Sequence, residues 1–132
     1  MTSPSSTTDV WHIGSTPLHS RFLLGTAGYP SPDVLRQAIE ASGSQVLTLG
    51  LKRTLAAPGG GDNGFVQIIR DTAQAHGAHL LPNTAGCRSA QEAITLAHMA
   101  RELLGTHWIK LEVVGDEQTL QPDPFELVAA AA

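Results

Sequence analysis

The chain has one cysteine, Cys87, so an internal disulfide is excluded, and its first residues lack the basic segment and following apolar stretch of a secretory signal. A reducing cytoplasm is the expected compartment. No apolar run approaches the roughly 20 residues that a membrane-spanning helix needs, so a soluble chain without membrane contact is expected. Basic residues number 8 against 12 acidic ones and are scattered, which leaves no electrostatic footprint for nucleic acid. The six histidines, His12, His19, His76, His79, His98 and His107, show no H-x-H, H-E-x-x-H or paired-cysteine spacing, so no metal site is expected. A dinucleotide fingerprint is also missing: instead of G-x-G-x-x-G there is only Gly25-Thr26-Ala27-Gly28.

What remains is enough for one globular domain, since 132 residues with 42% apolar side chains support a single core. Met1 to Thr8 is a Ser/Thr/Pro tract with little to bury and reads as a disordered tail, leaving residues 9–132 for the fold. Arg21 to Gly25, Gln45 to Leu51, Ala78 to Leu81 and His107 to Val114 read as strands, each followed by a helical pattern.

Chemical punctuation supports the alternation. Ser31 before Pro32 places an N-cap ahead of a proline at the first helical position, and that helix runs to about Ser42. Ser89 and Glu92 have capping-box spacing, each side chain able to satisfy a backbone N–H at the other's position. Gly43, Gly77 and Gly105 fall just beyond helical patterns, where a left-handed residue closes the last turn. In the third helix Ala90, Ala93, Ile94, Ala97, Ala100 and Leu104 form an apolar stripe suited to packing on a sheet. The glycine-rich stretch from Pro58 to Gly64 reads as a flexible loop before the second helix.

Strands alternating with helices, and no hairpin dipeptide between them, imply parallel pairing through helical crossovers. A doubly wound sheet is disfavoured by the weak glycine motif. A (β/α)8 barrel carries its functional residues at the C-terminal ends of its strands, where this chain has Lys52 and Arg53, Asn83 and Thr84, and Lys110 and Glu112. Such barrels take about 250 residues, so an α/β TIM-barrel fold is expected with only about the first four βα units in this chain.

In the fourth strand Ile109, Leu111 and Val113 share one face, and Trp108, Lys110 and Glu112 the other. The apolar set should face the helices. The other set then points into the barrel, with the ammonium and carboxylate about 7 Å apart along the strand. Burial can lower a lysine from its ordinary pKa of about 10.4, although a nearby carboxylate opposes that. A partly neutral Lys110 is suited to attacking a carbonyl, and Glu112 to moving protons at the carbon beside the resulting imine. The same alternation also marks a strand with one solvated face, and pattern alone does not choose between the two.

Several segments, in order, carry a family resemblance: Gly25-Thr26 and Gly28-Tyr29, Ala38-Ile39-Glu40-Ala41-Ser42-Gly43, Lys52-Arg53, and Leu81-Pro82-Asn83-Thr84-Ala85-Gly86-Cys87. Ala100-Arg101-Glu102, Gly105-Thr106 with Trp108-Ile109-Lys110-Leu111-Glu112, and Pro122-Asp123-Pro124 complete the set. From about Phe22 onward the chain resembles thiazole synthase of the thiamin pathway. The resemblance implies a (β/α)8 transferase that condenses 1-deoxy-D-xylulose 5-phosphate, dehydroglycine and sulfur from a thiocarboxylated sulfur carrier protein. By position, Lys110 would form the imine with the ketose carbonyl, and Glu112 would act as acid or base in the tautomerisations that follow. No metal and no organic cofactor are implied. The partners implied are the ketose phosphate and the carrier protein, with a homo-oligomer expected for the full-length protein.

The family's second half supplies a further catalytic carboxylate and glycine-rich phosphate loops, and neither is found here. Little turnover is expected from these residues alone, and an open sheet edge predicts pairing or aggregation. Lys52 and Arg53 are candidates to hold an anionic substrate or the carrier tail. Asn83 and Thr84 either line the mouth or cap the turn into Gly86. Cys87 sits near the rim, but no base is evident to make it a nucleophile. Two other readings stay open: a Schiff-base aldolase-like barrel that needs no sulfur donor, and a non-catalytic half-barrel that binds a partner.

Overall fold

The computed structural model describes residues 9–56 and 64–132. The expected tail from Met1 to Thr8 and, of the expected loop from Pro58 to Gly64, residues 58–63 therefore lie outside the described residues, while Gly64 is already helical. The fold is mixed α/β with a parallel sheet at its centre.

The chain opens with a hairpin that the sequence reading missed. Strands β1 (Trp11–Ile13) and β2 (Thr16–Leu18) pair antiparallel, with Ile13 opposite Thr16. The two residues between them are Gly14 and Ser15, and Gly14 has φ 59. A glycine at the first loop position supplies the backbone twist that joins right-twisted strands. The Gly-Ser dipeptide was the available signal.

The main sheet runs β3 (Leu23–Gly25), β4 (Val46–Gly50), β5 (His79–Asn83), all parallel. Leu24, Leu47 and Leu80 stand in register across it. Leu24 and Leu47 form a core with Leu35 and Ile39 of α1 (Pro32–Ser42) and with Ile69 and Ala73 of α3 (Gly64–His76), and Leu80 packs against it. The spacing of Leu35 and Ile39 sets one buried helical face toward the strands. A short helix, α2 (Leu51–Ala56), follows β4 directly and was not expected.

The helix ends follow the expected punctuation. Ser31 accepts a hydrogen bond from Val34 N with Pro32 at the helix start, and Gly43 closes α1 at φ 63. Ser89 accepts from Glu92 N at the start of α4 (Ala90–Leu104), and Gly105 closes it at φ 64. The other half of the expected capping box is displaced by one residue, since Glu92 Oε2 accepts from Arg88 N at 3.1 Å. Asp123 caps α5 (Pro124–Ala131), accepting from Phe125 N and Glu126 N.

The expected fourth strand is the main departure. Residues 107–114 meet the sheet through one parallel bridge, Asn83 with Lys110, and pair with the chain that follows them through one antiparallel bridge, Val114 with Pro122. Lys110 N donates to Pro82 O at 2.8 Å, and Thr84 N donates to Lys110 O at 3.2 Å. The regular ladder stops there because β5 ends at Asn83. The count of four βα units is thus not reproduced as four ladder strands. The face assignment does hold: Ile109, Leu111 and Val113 pack with Ala93, Leu96 and Ala100 of α4 and with Leu127 of α5.

No described helix is long and apolar enough to cross a membrane.

Candidate active site

Strands β3, β4 and β5 end on Gly25, Gly50 and Asn83, and these three residues border an open cleft of ≈ 840 Å³. The loop Gly25-Thr26-Ala27-Gly28 forms one wall, Phe65 and Ile69 of α3 another, and Ala85 and Gly86 the rim beyond β5. Parallel strands place such a cleft at their carboxyl ends, because the connections there diverge toward the helices. Glycine at two of the strand ends keeps side chains out of it. Thr26 is nearly buried, and its hydroxyl donates to Thr48 O at 2.7 Å, carrying the β3–β4 contact one residue past the ladder.

The structure divides the six residues singled out from the sequence. Arg53 and Asn83 line the cleft. Arg53 forms no ion pair among the described residues. Asn83 Oδ1 accepts from Ala85 N at 3.2 Å, which fixes the turn out of β5.

Lys110 and Glu112 lie beside Asn83 on the next segment, with Nζ and Oε1 3.5 Å apart. Their side chains are 60% and 35% exposed, so the enclosed interior expected for the pair is not built by the described residues. The two groups share one face, as the alternation requires, and form an ion pair at its open side.

Lys52 and Thr84 point elsewhere. Lys52 Nζ contacts Glu92 Oε1 at 2.7 Å and donates to Gly86 O at 3.0 Å, bridging α2, the β5 turn and α4. Lys52 and the Arg88 backbone N–H together hold the Glu92 carboxyl below the usual carboxylate range. Gly86 has φ 87, a conformation that favours glycine, and a Cβ there would lie 3.4 Å from Lys52 Cδ. Thr84 is completely buried, and its hydroxyl accepts from Glu112 N and donates to Glu112 O, both at 2.7 Å.

Cys87 is also completely buried, beneath α4. Burial raises its thiol pKa, with the Glu92 charge adding to the effect. That environment suits a packing residue rather than a nucleophile.

The sequence reading missed Glu92 as a partner of Lys52 and treated it only as a cap. Its place three residues after Ser89 was legible, but the distant lysine was not. No group of His, Cys, Asp and Glu suited to holding a metal occurs among the described residues.

Residues 12–132 match the family described as "Thiazole biosynthesis protein ThiG". A thiazole synthase of Coxiella burnetii (strain Dugway 5J108-111) is 52% identical over 122 residues, covering 92% of this chain and 45% of the relative. The thiazole synthases of Erwinia tasmaniensis and Erwinia amylovora are 56% and 55% identical over 112 residues, covering 85% of this chain and 41% of each relative. The chain thus spans less than half the length of these curated relatives.

Proposed function

Because the chain belongs to the ThiG family of thiazole biosynthesis proteins, we propose that it supplies the Schiff-base part of a thiazole synthase, within a TIM barrel whose first half is formed by residues 9–132. The parallel sheet with its helices supports that architecture. The observation that carries the chemistry is the 3.5 Å approach of Lys110 Nζ to Glu112 Oε1, beside the cleft residue Asn83.

In this reading the Lys110 amine attacks the ketone carbon of 1-deoxy-D-xylulose 5-phosphate and water leaves, giving a C=N bond. Glu112 then takes a proton from the adjacent carbon. The C–H electron pair becomes a C=C bond, and the C=N pair moves onto nitrogen. Sulfur arrives on the thiocarboxylated tail of a carrier protein, and dehydroglycine completes the ring. Arg53 and Asn83 are the proposed substrate contacts, supported by their position in the cleft. Lys52 and Thr84 we assign to its supporting wall, in view of their partners. The proposed setting is the cytoplasm, and the proposed full-length assembly is a homo-oligomer.

The test is borohydride trapping of the ketose phosphate on the protein expressed from its complete coding sequence. The adduct should map to Lys110 and vanish in Lys110→Ala. An adduct on another residue, or none, would overturn the assignment. Product formation should also require the thiocarboxylated carrier, and aldehyde release without it would mark an aldolase.

A further inference from the structure

We propose that Thr84 is a positioning residue that sets the catalytic register of Glu112 against Lys110. The inference rests on the roles proposed above for those two residues and adds a third, which touches neither substrate nor reacting atoms.

Beyond the end of β5 at Asn83, a continued parallel ladder would join Glu112 to the backbone of Thr84 and Gly86. The chain turns away instead: Cys87 N donates to Thr84 O at 3.1 Å, which consumes the carbonyl that Glu112 N would have used. The Thr84 hydroxyl takes over both ladder functions, accepting from Glu112 N and donating to Glu112 O at 2.7 Å each. Meanwhile Thr84 N donates to Lys110 O. One buried residue therefore holds the peptides of both Lys110 and Glu112, by chemically separate groups. A hydroxyl suits this place because it is donor and acceptor at once, and complete burial shields both bonds from competing water.

The separation makes the proposal testable. Thr84→Val keeps the N–H that binds Lys110 and removes only the hydroxyl that binds Glu112. In the protein expressed from its complete coding sequence, Thr84→Val should form the borohydride-trapped Lys110 adduct at the parental rate. It should exchange solvent deuterium into the carbon beside the imine about a hundredfold more slowly, as expected when a proton-transfer group is misplaced. Thr84→Ser should restore exchange. Parental exchange in Thr84→Val would overturn the proposal, as would an equal fall in adduct and exchange. The Glu112 amide should also be protected from hydrogen exchange in the unsubstituted protein, and free exchange there would overturn the clamp without any variant. Absence of any adduct in the unsubstituted protein would instead remove the Schiff-base reading on which the proposal rests.

Discussion

Lys52 Nζ lies 2.7 Å from Glu92 Oε1, so the helix that follows β4 is tied to the first turn of the helix that follows β5. The same ammonium reaches Gly86 O. Lys52, expected from the sequence to meet an anionic substrate or the carrier tail, thus holds the turn that forms the cleft rim.

The pair makes stability depend on pH in the acid range. Lys52 first and the Arg88 N–H second favour the Glu92 carboxylate, so its folded pKa lies below that of the unfolded chain. Its contribution is complete above the ordinary glutamate value of about 4.3 and is lost as pH falls through the lower folded value. Both side chains are well exposed, 46% and 37%, so the contribution should stay under about 1 kcal/mol. Denaturant midpoints followed through this range should fall less steeply in Glu92→Gln than in the parent. Parallel curves would refute the assignment.

Cys87 should resist alkylation in the folded protein. The thiol is completely buried, and its pKa is raised by that burial and by Glu92, so thiolate is scarce and reagent access is closed. Labelling at mildly alkaline pH should track unfolding across a denaturant series. Prompt labelling without denaturant would show that the packing around α4 is looser than described.

Leu120 carries φ 61 and is 69% exposed. Left-handed backbone is unfavourable for leucine by roughly 1–2 kcal/mol and easier for asparagine. The conformation is held by Leu120 N, which donates to Asp116 O at 2.8 Å, and by Gly115 N, which donates to Gln121 O at 2.7 Å. Leu120→Asn should therefore raise stability by about 0.5–1 kcal/mol, read as an upward shift in melting temperature. A fall would mean that the leucine side chain contributes more than its exposure suggests.

Legibility in the sequence followed the range of the interactions. Ser31-Pro32, Ser89 and the glycines after the helices act within a few residues, and they marked the helix ends well. Period-two alternation also sorted residues 107–114 correctly, since Ile109, Leu111 and Val113 do face the helices. That alternation describes side-chain direction, however, and a strand further requires a neighbour's backbone. Beyond Asn83 that neighbour turns away, and a hydroxyl stands in for it. The exposure of Lys110 was illegible for a related reason, because enclosure depends on what covers the inner face. The β1–β2 hairpin escaped because each strand has only three residues, too few for periodicity to show.

Adjacent in sequence, Arg53 and Lys52 should separate cleanly in experiment. Arg53 borders the cleft and has no ion-pair partner among the described residues, whereas Lys52 is held by Glu92 and Gly86. A hydrogen bond from a charged group to a bound anion is worth about 1.5–3 kcal/mol, equivalent to roughly 10-fold to 100-fold in affinity. On the Schiff-base reading proposed above, Arg53→Ala should raise the ketose phosphate concentration needed for half-maximal trapping on Lys110 by about that factor, with the trapping rate at saturation unchanged. The effect should shrink as salt rises, since the cleft is open to solvent. Lys52→Met should do the reverse, lowering the denaturant midpoint while leaving the half-maximal concentration near the parental value. If Lys52→Met weakened ketose binding and Arg53→Ala did not, the anion-contacting role would pass to Lys52, and its bond to Glu92 would have to open when substrate binds.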